Sequence, residues 1–392
     1  MHHPSLSIRS NVLHSNERYQ LREIERTGIV VKRFAGGELD FQDFRRHANE
    51  SARPLRDYWL TAISNPKKHD AITISESTGK VIAVALSSSN AQKTTVAMAR
   101  IRLREADTRL GRTLARYLIG NSVEFFRVKR VLELTDLPEY LIEPCREFGF
   151  FIESDKATTS SIDRVLSPTE FVAELESLGQ DGTIQGADVA RLNGAFADAL
   201  REKNAKQILC FEEQFAPLKI NIDFVPNYIV PIEPRWAKDL FDPSVSPPEL
   251  WSSPMEKILN PTSVYYKSPG GFARGLQSSR IIWYVSKDSA FPQAKSLRCS
   301  SIMTLRVTGK AKDLYRRFRR FHRQNCGVTK QEFDLYFDGC ENAVGIHLCE
   351  PIPFKNAFPL TLLRSIWPGF HPPQQFQYLA QSRFESLFES VS

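Results

Sequence analysis

The sequence predicts an α+β protein built in two unequal parts. Residues 28–154 alternate β-branched runs with helical stretches. From about Asn221 onward the chain carries more proline, more aromatic residues and more short strands. Between the two lies a stretch whose periodicity is helical throughout. There is no internal repeat and no low-complexity tract.

In the first part, Gly28–Phe34 reads as a strand and is followed by helical stretches at Asp40–Ala52 and Leu55–Ile63. Ala71–Ser75 and Lys80–Leu86 form a hairpin across the turn residues Glu76-Ser-Thr-Gly79. Val96–Leu103 is a further strand. A helix from Leu110 to Arg127 places Leu110, Leu114, Tyr117 and Leu118 on one face. Val131–Thr135 is a short strand, Glu139–Glu147 a short helix and Gly149–Ile152 a closing strand. In the middle segment, Ser167-Pro-Thr-Glu170 is a capping box with proline at the first helical position. Val189, Leu192, Phe196 and Leu200 stripe the next helix.

In the last part, the strand Asn227–Pro234 leads into a helix over Arg235–Phe241. Capping boxes follow at Ser246-Pro-Pro-Glu249 and Ser253-Pro-Met-Glu256. Strands are expected at Ser263–Lys267, Arg280–Val285, Ser300–Val307 and Ala343–Leu348, with a basic helix over Lys310–Gln324. Short strands around a few helices suggest a small, partly open barrel. The tail from Phe354 to Phe388 ends in an apolar helix that caps the body.

Composition narrows the function classes. The 392 residues are 42% hydrophobic and 25% charged, the profile of a globular chain. No run approaches the roughly 18 apolar residues that span a bilayer, and the first fifteen residues lack an apolar segment, so a short disordered leader is expected. Six cysteines without a CxxC pair argue against a zinc ribbon or disulfide framework and for reduced thiols in a cytoplasmic protein. The eight histidines do not gather with acidic residues at ligand spacing, so no metal is expected. A net charge of +7 favours a polyanionic partner if the charge is concentrated.

It is concentrated in Lys310–Arg323. Leu314, Phe318 and Phe321 fall on one helical face, and Arg316, Arg320 and Arg323 repeat the spacing on another. Like charges at i,i+4 repel, a cost that phosphate would offset. A solvated charged face is the plainer alternative. The glycine-rich Ser268–Gly275 carries Arg274 and either approaches a phosphate backbone or is a surface loop. Tyr265, Tyr266 and Trp283 suit base stacking if exposed and are core if buried, and alternation puts one of each neighbouring pair inside.

The element order of residues 28–154, the strand–loop–helix Val96–Arg127 and Cys145-Arg-Glu-Phe-Gly-Phe150 together resemble the GNAT acetyltransferases. The resemblance implies an acetyl-CoA cofactor, its pyrophosphate at a helix N-terminus, its arm beside a splayed strand pair, and a general acid for the departing thiolate. The family loop reads Q/R-x-x-G-x-G/A. Against it stand Ala106-Asp-Thr-Arg-Leu-Gly111, then Arg112 and Thr113, so only Gly111 matches. Arg109, Leu110, Gly111, Arg112 and Thr113 are the implied cofactor-binding residues. Cys145 occupies the place of the family tyrosine, as acid or as core packing, and Pro138 that of a frequent asparagine.

Residues 221–355 resemble the PUA-like superfamily, in particular its ASCH branch, which implies a groove for RNA or a modified nucleobase. The ASCH consensus G-x-K-x-x-E-x-R falls on Asn260–Lys267, where Thr262, Tyr265 and Lys267 replace its lysine, glutamate and arginine. Losing the first two argues against amidohydrolase chemistry. The implied nucleic-acid contacts are Tyr265, Tyr266, Lys267, Arg274, Arg316, Arg320 and Arg323. The expected organisation is a leader over 1–20, a GNAT-like domain over 21–155, a helical connector over 156–218 and a PUA-like domain with its cap over 219–392. The function implied is an acetyl-CoA-dependent N-acetyltransferase that acts on RNA or an RNA-associated target. The alternative is a non-catalytic nucleic-acid-binding protein of regulation or defence with an altered GNAT domain.

Overall fold

The computed structural model describes residues 29–34, 69–78, 81–88, 96–103, 108–125, 131–160, 165–180, 185–215, 218–241, 262–268, 278–286, 294–318 and 330–389. The helices expected at 40–52 and 55–63, the capping boxes at 246–249 and 253–256, and the loop over 269–275 lie outside them. The chain divides into two compact units, with the boundary between residues 160 and 165.

In the first unit, strands β1 (Val30–Phe34), β2 (His69–Ser75), β3 (Val81–Ser88), β4 (Val96–Leu103), β5 (Val131–Leu134), β6 (Phe151–Glu153) and β7 (Lys156–Ser160) make one sheet, ordered β1-β2-β3-β4-β5-β7-β6. Every pairing is antiparallel except β4 with β5, which is parallel. Helix α1 (Arg109–Phe125) makes the crossover between that pair. Its Leu114, Tyr117 and Leu118 are buried with Ile72, Ile74, Ala83, Ala85, Ile101 and Leu103, whose period of two sets one face of the sheet against the helix. Leu110, expected on the same face, is 40% exposed in the first turn. Glu139–Leu141 forms a 3₁₀ turn that runs into α2 (Ile142–Glu147). Arg116 of α1 grips Glu147 of α2 in a two-pronged pair, Nε–Oε2 and Nη2–Oε1 both 2.6 Å. Such a fork fixes both distance and orientation between the helices.

The second unit begins with the two-stranded parallel pair of β8 (Val165–Leu166) and β9 (Lys219–Ile220) and the helices between them. These are α3 (Pro168–Gln180), α4 (Gly186–Arg201) and α5 (Ala205–Gln214). The capping box forms as the sequence predicts: Ser167 N donates to Glu170 Oε2 at 2.7 Å, and Glu170 N donates to Ser167 Oγ at 3.2 Å. Phe171, Phe196, Phe211 and Phe215 pack as a buried aromatic cluster, with ring centroids 4.7–5.8 Å apart in the measured pairs. The segment expected as a connector is therefore divided. Its β7 belongs to the first sheet, and α3–α5 belong to the second unit.

The main sheet of this unit contains β10 (Asn227–Ile232), β11 (Thr262–Lys267), β12 (Ser279–Val285), β13 (Ser296–Lys310), β14 (Asn342–Pro359) and β15 (Gln377–Leu379), ordered β11-β14-β13-β12-β10-β15. β10 and β12 run parallel, and the other neighbours are antiparallel. Among the described residues no pairing closes β11 onto β15, so the sheet is open where a small barrel was expected. β13 and β14 are long, and their register shifts at three places, which lets a bulged ribbon curl without closing.

Helix α6 (Pro234–Leu240) follows β10 and covers one face. Helices α9 (Leu360–Ile366) and α10 (Gln381–Glu389) cover the other with Phe354, Trp367, Phe384 and Phe388. Helices α7 (Ala311–Arg317) and α8 (Lys330–Tyr336) form a smaller core with Val264 and Tyr266. Gly345 on β14 permits that docking, because a Cβ there would lie 2.5 Å from Phe318 Cε2.

A buried ionic network ties these parts together. Arg280 and Glu212 are fully buried. Arg280 Nη2 donates to Glu212 Oε1 at 2.7 Å and to Ile220 O at 2.6 Å, and Nη1 donates to Asn227 Oδ1 at 3.0 Å. Ile220 N donates to Glu212 Oε1 at 2.7 Å. Asn227 Nδ2 donates to Gln381 Oε1, and Gln381 Nε2 donates to Asn221 Oδ1. The guanidinium also lies over the Phe384 ring at 4.8 Å. One cation thus joins α5, β9, β10, β12 and α10.

Candidate functional site

At the carboxyl ends of β10 and β12 lies a cavity of about 480 Å³. Parallel strands end together there, and the chain must leave both by loops, which opens a crevice that the sheet cannot fill. Pro231 and Ile232 end β10. Glu233 follows in extended backbone as the N-cap of α6, and Trp236 stands in the first turn of that helix. Strand β11 supplies Tyr265 and Lys267, and α8 supplies Tyr336.

The aromatic walls are held edge to face: Tyr265 against Trp283 at 5.2 Å, and Trp236 against Tyr336 at 6.0 Å. Trp283 is itself fully buried, and its Nε1 donates to Ser301 Oγ at 2.7 Å. It therefore backs the site from the core. Tyr336 is 42% exposed, which leaves part of its ring open to a ligand.

The charges are distributed unevenly. Lys267 is half-buried, with its ammonium 5.9 Å from the Phe376 ring, and burial lowers its pKa below that of free lysine. Lys295 enters at the start of β13 with φ +62, a left-handed backbone uncommon outside glycine. Two backbone bonds hold it: Lys295 N donates to Val285 O at 2.8 Å, and Lys295 O accepts from Leu360 N at 2.9 Å. Glu233 accepts from Arg235 Nε at 2.7 Å. Burial raises the Tyr265 pKa, with Tyr336 and the Glu233 carboxylate adding to it. Burial and then Glu233 raise that of Tyr336, against Arg235. Both phenols thus stay protonated as neutral hydrogen-bonding groups.

Of the residues expected to touch nucleic acid, the structure brings Tyr265, Tyr266 and Lys267 to the lining of this cavity. Tyr266 is 7% exposed and packs with Phe318 and Phe333, so it is chiefly core, as alternation along β11 requires. Helix α7 ends at Arg317, with Leu314 and Phe318 buried. Arg316 is exposed on it, with Nη2 3.1 Å from Asp313 Oδ1. Arg274, Arg320 and Arg323 lie outside the described residues.

In the first unit, the parallel pairing stops at Ala99↔Leu134, while β4 continues four residues to Leu103. Beyond Ala99 no described pairing joins β4 to β5, which ends at Leu134. Part of this stretch of β4 is already taken, because Leu103 N donates to Tyr140 Oη at 3.4 Å. The N-terminus of α1 is capped from within, with Gly111 N donating to Thr108 Oγ1 at 2.9 Å. Gly111 and Thr113 are buried and Arg112 is exposed, and Arg109 opens the helix. Cys145 is fully buried among the core side chains, and burial raises its pKa far above that of a free thiol. Core packing accounts for that placement, and the acid role does not.

The chain is similar to solved structures of two kinds. One is the ASCH protein of Zymomonas mobilis, at 21% identity over 42% of this chain and 94% of that one, with a TM-score of 0.31. A second kind is represented by a GNAT-family acetyltransferase fold from Desulfovibrio desulfuricans, at 16% identity over 34% of this chain and 99% of that one, TM-score 0.26. The spermidine N-acetyltransferase of Vibrio cholerae matches at 13% over 34% of this chain and 94% of that one, also with a TM-score of 0.26. No family model matches the sequence, and no curated protein does.

Sequence reading missed Glu233, Trp236, Lys295 and Tyr336 as site residues. They come from three places in the chain, the start of α6, the residue before β13 and the end of α8, and no spacing joins them. The signal available was weak: Glu233 and Trp236 flank the start of a helix that leaves a strand. Among the described residues no group of three or more His, Cys, Asp or Glu side chains could hold a metal ion. No helix among them is long and apolar enough to cross a membrane.

Proposed function

We propose that the second unit is a recognition module for single-stranded nucleic acid, RNA in the first instance, and that it seats a base in the cavity beside Tyr265. The observation that carries this reading is the convergence of Trp236, Tyr265 and Tyr336 with Lys267 and Lys295 on one cavity of about 480 Å³. Aromatic faces accept any base, and lysines nearby accept the phosphates that accompany it. The volume lies in the range of small-ligand pockets and suits one nucleotide. The net charge of +7 supports the same class of partner.

Titration of a fluorescently labelled single-stranded RNA with the full chain tests the reading. Binding is expected to weaken steeply as salt rises, because each phosphate contact releases counterion. Free nucleoside monophosphates are expected to compete. Absence of binding, or binding that mononucleotides leave untouched, would count against the cavity.

A second reading, acetyl transfer by the first unit, is favoured by the four residues of β4 beyond its pairing with β5, which lead toward the N-terminus of α1. On this reading the Tyr140 phenol must leave Leu103 for a cofactor arm to use that amide. Removing one competing hydrogen bond, worth about 0.5–1.5 kcal/mol, predicts that Tyr140→Ala strengthens acetyl-CoA binding several-fold in calorimetric titration. Failure of both the parent chain and the variant to bind acetyl-CoA would remove this reading and leave the first unit as scaffold.

A further inference from the structure

We infer that the cavity selects bases that carry an amino group at purine C6 or pyrimidine C4, read by the Glu233 carboxylate, with the phosphate of the same nucleotide held toward Lys295. This rests on the reading of the cavity as a base site and sharpens it to a substrate class: adenine- or cytosine-type nucleoside monophosphate units.

The argument begins from the uneven placement of charge. Glu233 is the acidic group in the cavity lining, and it caps the helix whose first turn carries Trp236. The acidic group thus belongs with the aromatic rings, where a stacked base would present its edge. Arg235 Nε occupies Glu233 Oε2, and a carboxylate has further lone pairs on its other oxygen. An ionised carboxylate only accepts. Facing a base edge, it rewards an N–H₂ donor and penalises a carbonyl by repulsion between two acceptors.

Of the two lysines in the lining, Lys295 is the one that the strands place. Ile232 of β10 pairs with Val285 of β12, and Val285 pairs with Ser296 at the start of β13. Glu233 and Lys295 are the next residues on the outer two of these three strands, so their backbones stand two strand spacings apart, about 10 Å. A nucleotide is of that order from base edge to phosphate. The left-handed backbone of Lys295, pinned on both sides by Val285 O and Leu360 N, fixes where that side chain departs. The strand geometry therefore sets an acceptor beside Trp236 and a cation two strand spacings away. A nucleotide with an amino-bearing base has the same order of groups.

Calorimetric titration of the full chain with AMP, IMP, CMP and UMP tests this directly, since each pair differs at the exocyclic group. AMP and CMP are expected to bind at least about tenfold more tightly than IMP and UMP, the scale of one discriminating polar contact. Glu233→Gln is expected to abolish the difference, because the amide offers both a donor and an acceptor, while leaving weak IMP and UMP binding in place. Lys295→Ala is expected to weaken AMP toward the affinity of adenosine. Equal binding of AMP and IMP, or discrimination that survives Glu233→Gln, would overturn the selectivity and leave the base site standing. Binding of none of the four would overturn the base site itself and this inference with it.

Discussion

Arg280→Met is expected to destabilise the second unit by about 3–5 kcal/mol, the scale for breaking a buried ion pair by removing one partner. The physical reason is what stays behind. Glu212 is fully buried, and without the guanidinium its carboxylate keeps one donor, Ile220 N. Ile220 O and Asn227 Oδ1 also lose a donor each. Replacing both charges, as in Arg280→Met with Glu212→Leu, ordinarily restores much of such a loss. Here it leaves Ile220 N without its carboxylate, so a penalty of about 1–3 kcal/mol should persist. Urea unfolding followed by the fluorescence of buried Trp283 and Trp367 reads both variants. A loss below about 1 kcal/mol for Arg280→Met would mean that water or rearrangement replaces the network, and its role as the tie between α5, β12 and α10 would fail.

Lys267→Ala combined with Tyr336→Ala is expected to weaken RNA binding by about 100-fold or more, since one stacking contact alone is worth about 1–3 kcal/mol. Tyr336 is 42% exposed but packs on Trp236 and Phe337, so the urea midpoint of the variant is measured alongside, and a small shift with a large affinity loss separates binding from folding. The lysine contribution carries a pH signature. Burial lowers the Lys267 pKa, so its charge is complete at low pH and disappears as pH rises through a value below the ordinary lysine range. RNA affinity should therefore fall earlier on the alkaline side than exposed lysines would cause, and Lys267→Ala should remove that part of the profile. An affinity loss under about threefold for the double variant would exclude the cavity as the place where bases stack.

The two sites were legible to different degrees. β4 appears at its predicted bounds, Val96–Leu103, because its apolar residues alternate and its ends are marked. The capping box at Ser167–Glu170 was readable because both of its hydrogen bonds join residues three apart. Tyr265 and Lys267 could be picked out as alternate residues on one strand, and period two required one of Tyr265 and Tyr266 inside, while the structure shows Tyr266 in the core. Helix α8 and its Tyr336 were not read at all, since seven residues give too short a period to stand out. Of the basic helix expected over Lys310–Gln324, the described part is α7, with Phe318 as its cap, and residues 319–324 lie outside the described residues. Cys145 was identified by its place before Gly149, but position along the chain does not report enclosure.

By itself, then, the sequence determined what is local: strand and helix identity, caps, the alternation along β11 and the overall basic charge. Those depend on residues a few positions apart, where backbone geometry fixes the spacing. Only the tertiary structure decided the parallel register of β10 with β12, which leaves the cavity at their ends. It also decided the meeting of Glu233, Lys267, Lys295 and Tyr336 around that cavity, and the burial of Arg280 on Glu212. Each of these joins residues separated by 28 to more than 100 positions. Such pairings are set by the sum of packing over the whole sheet, and no short motif encodes them.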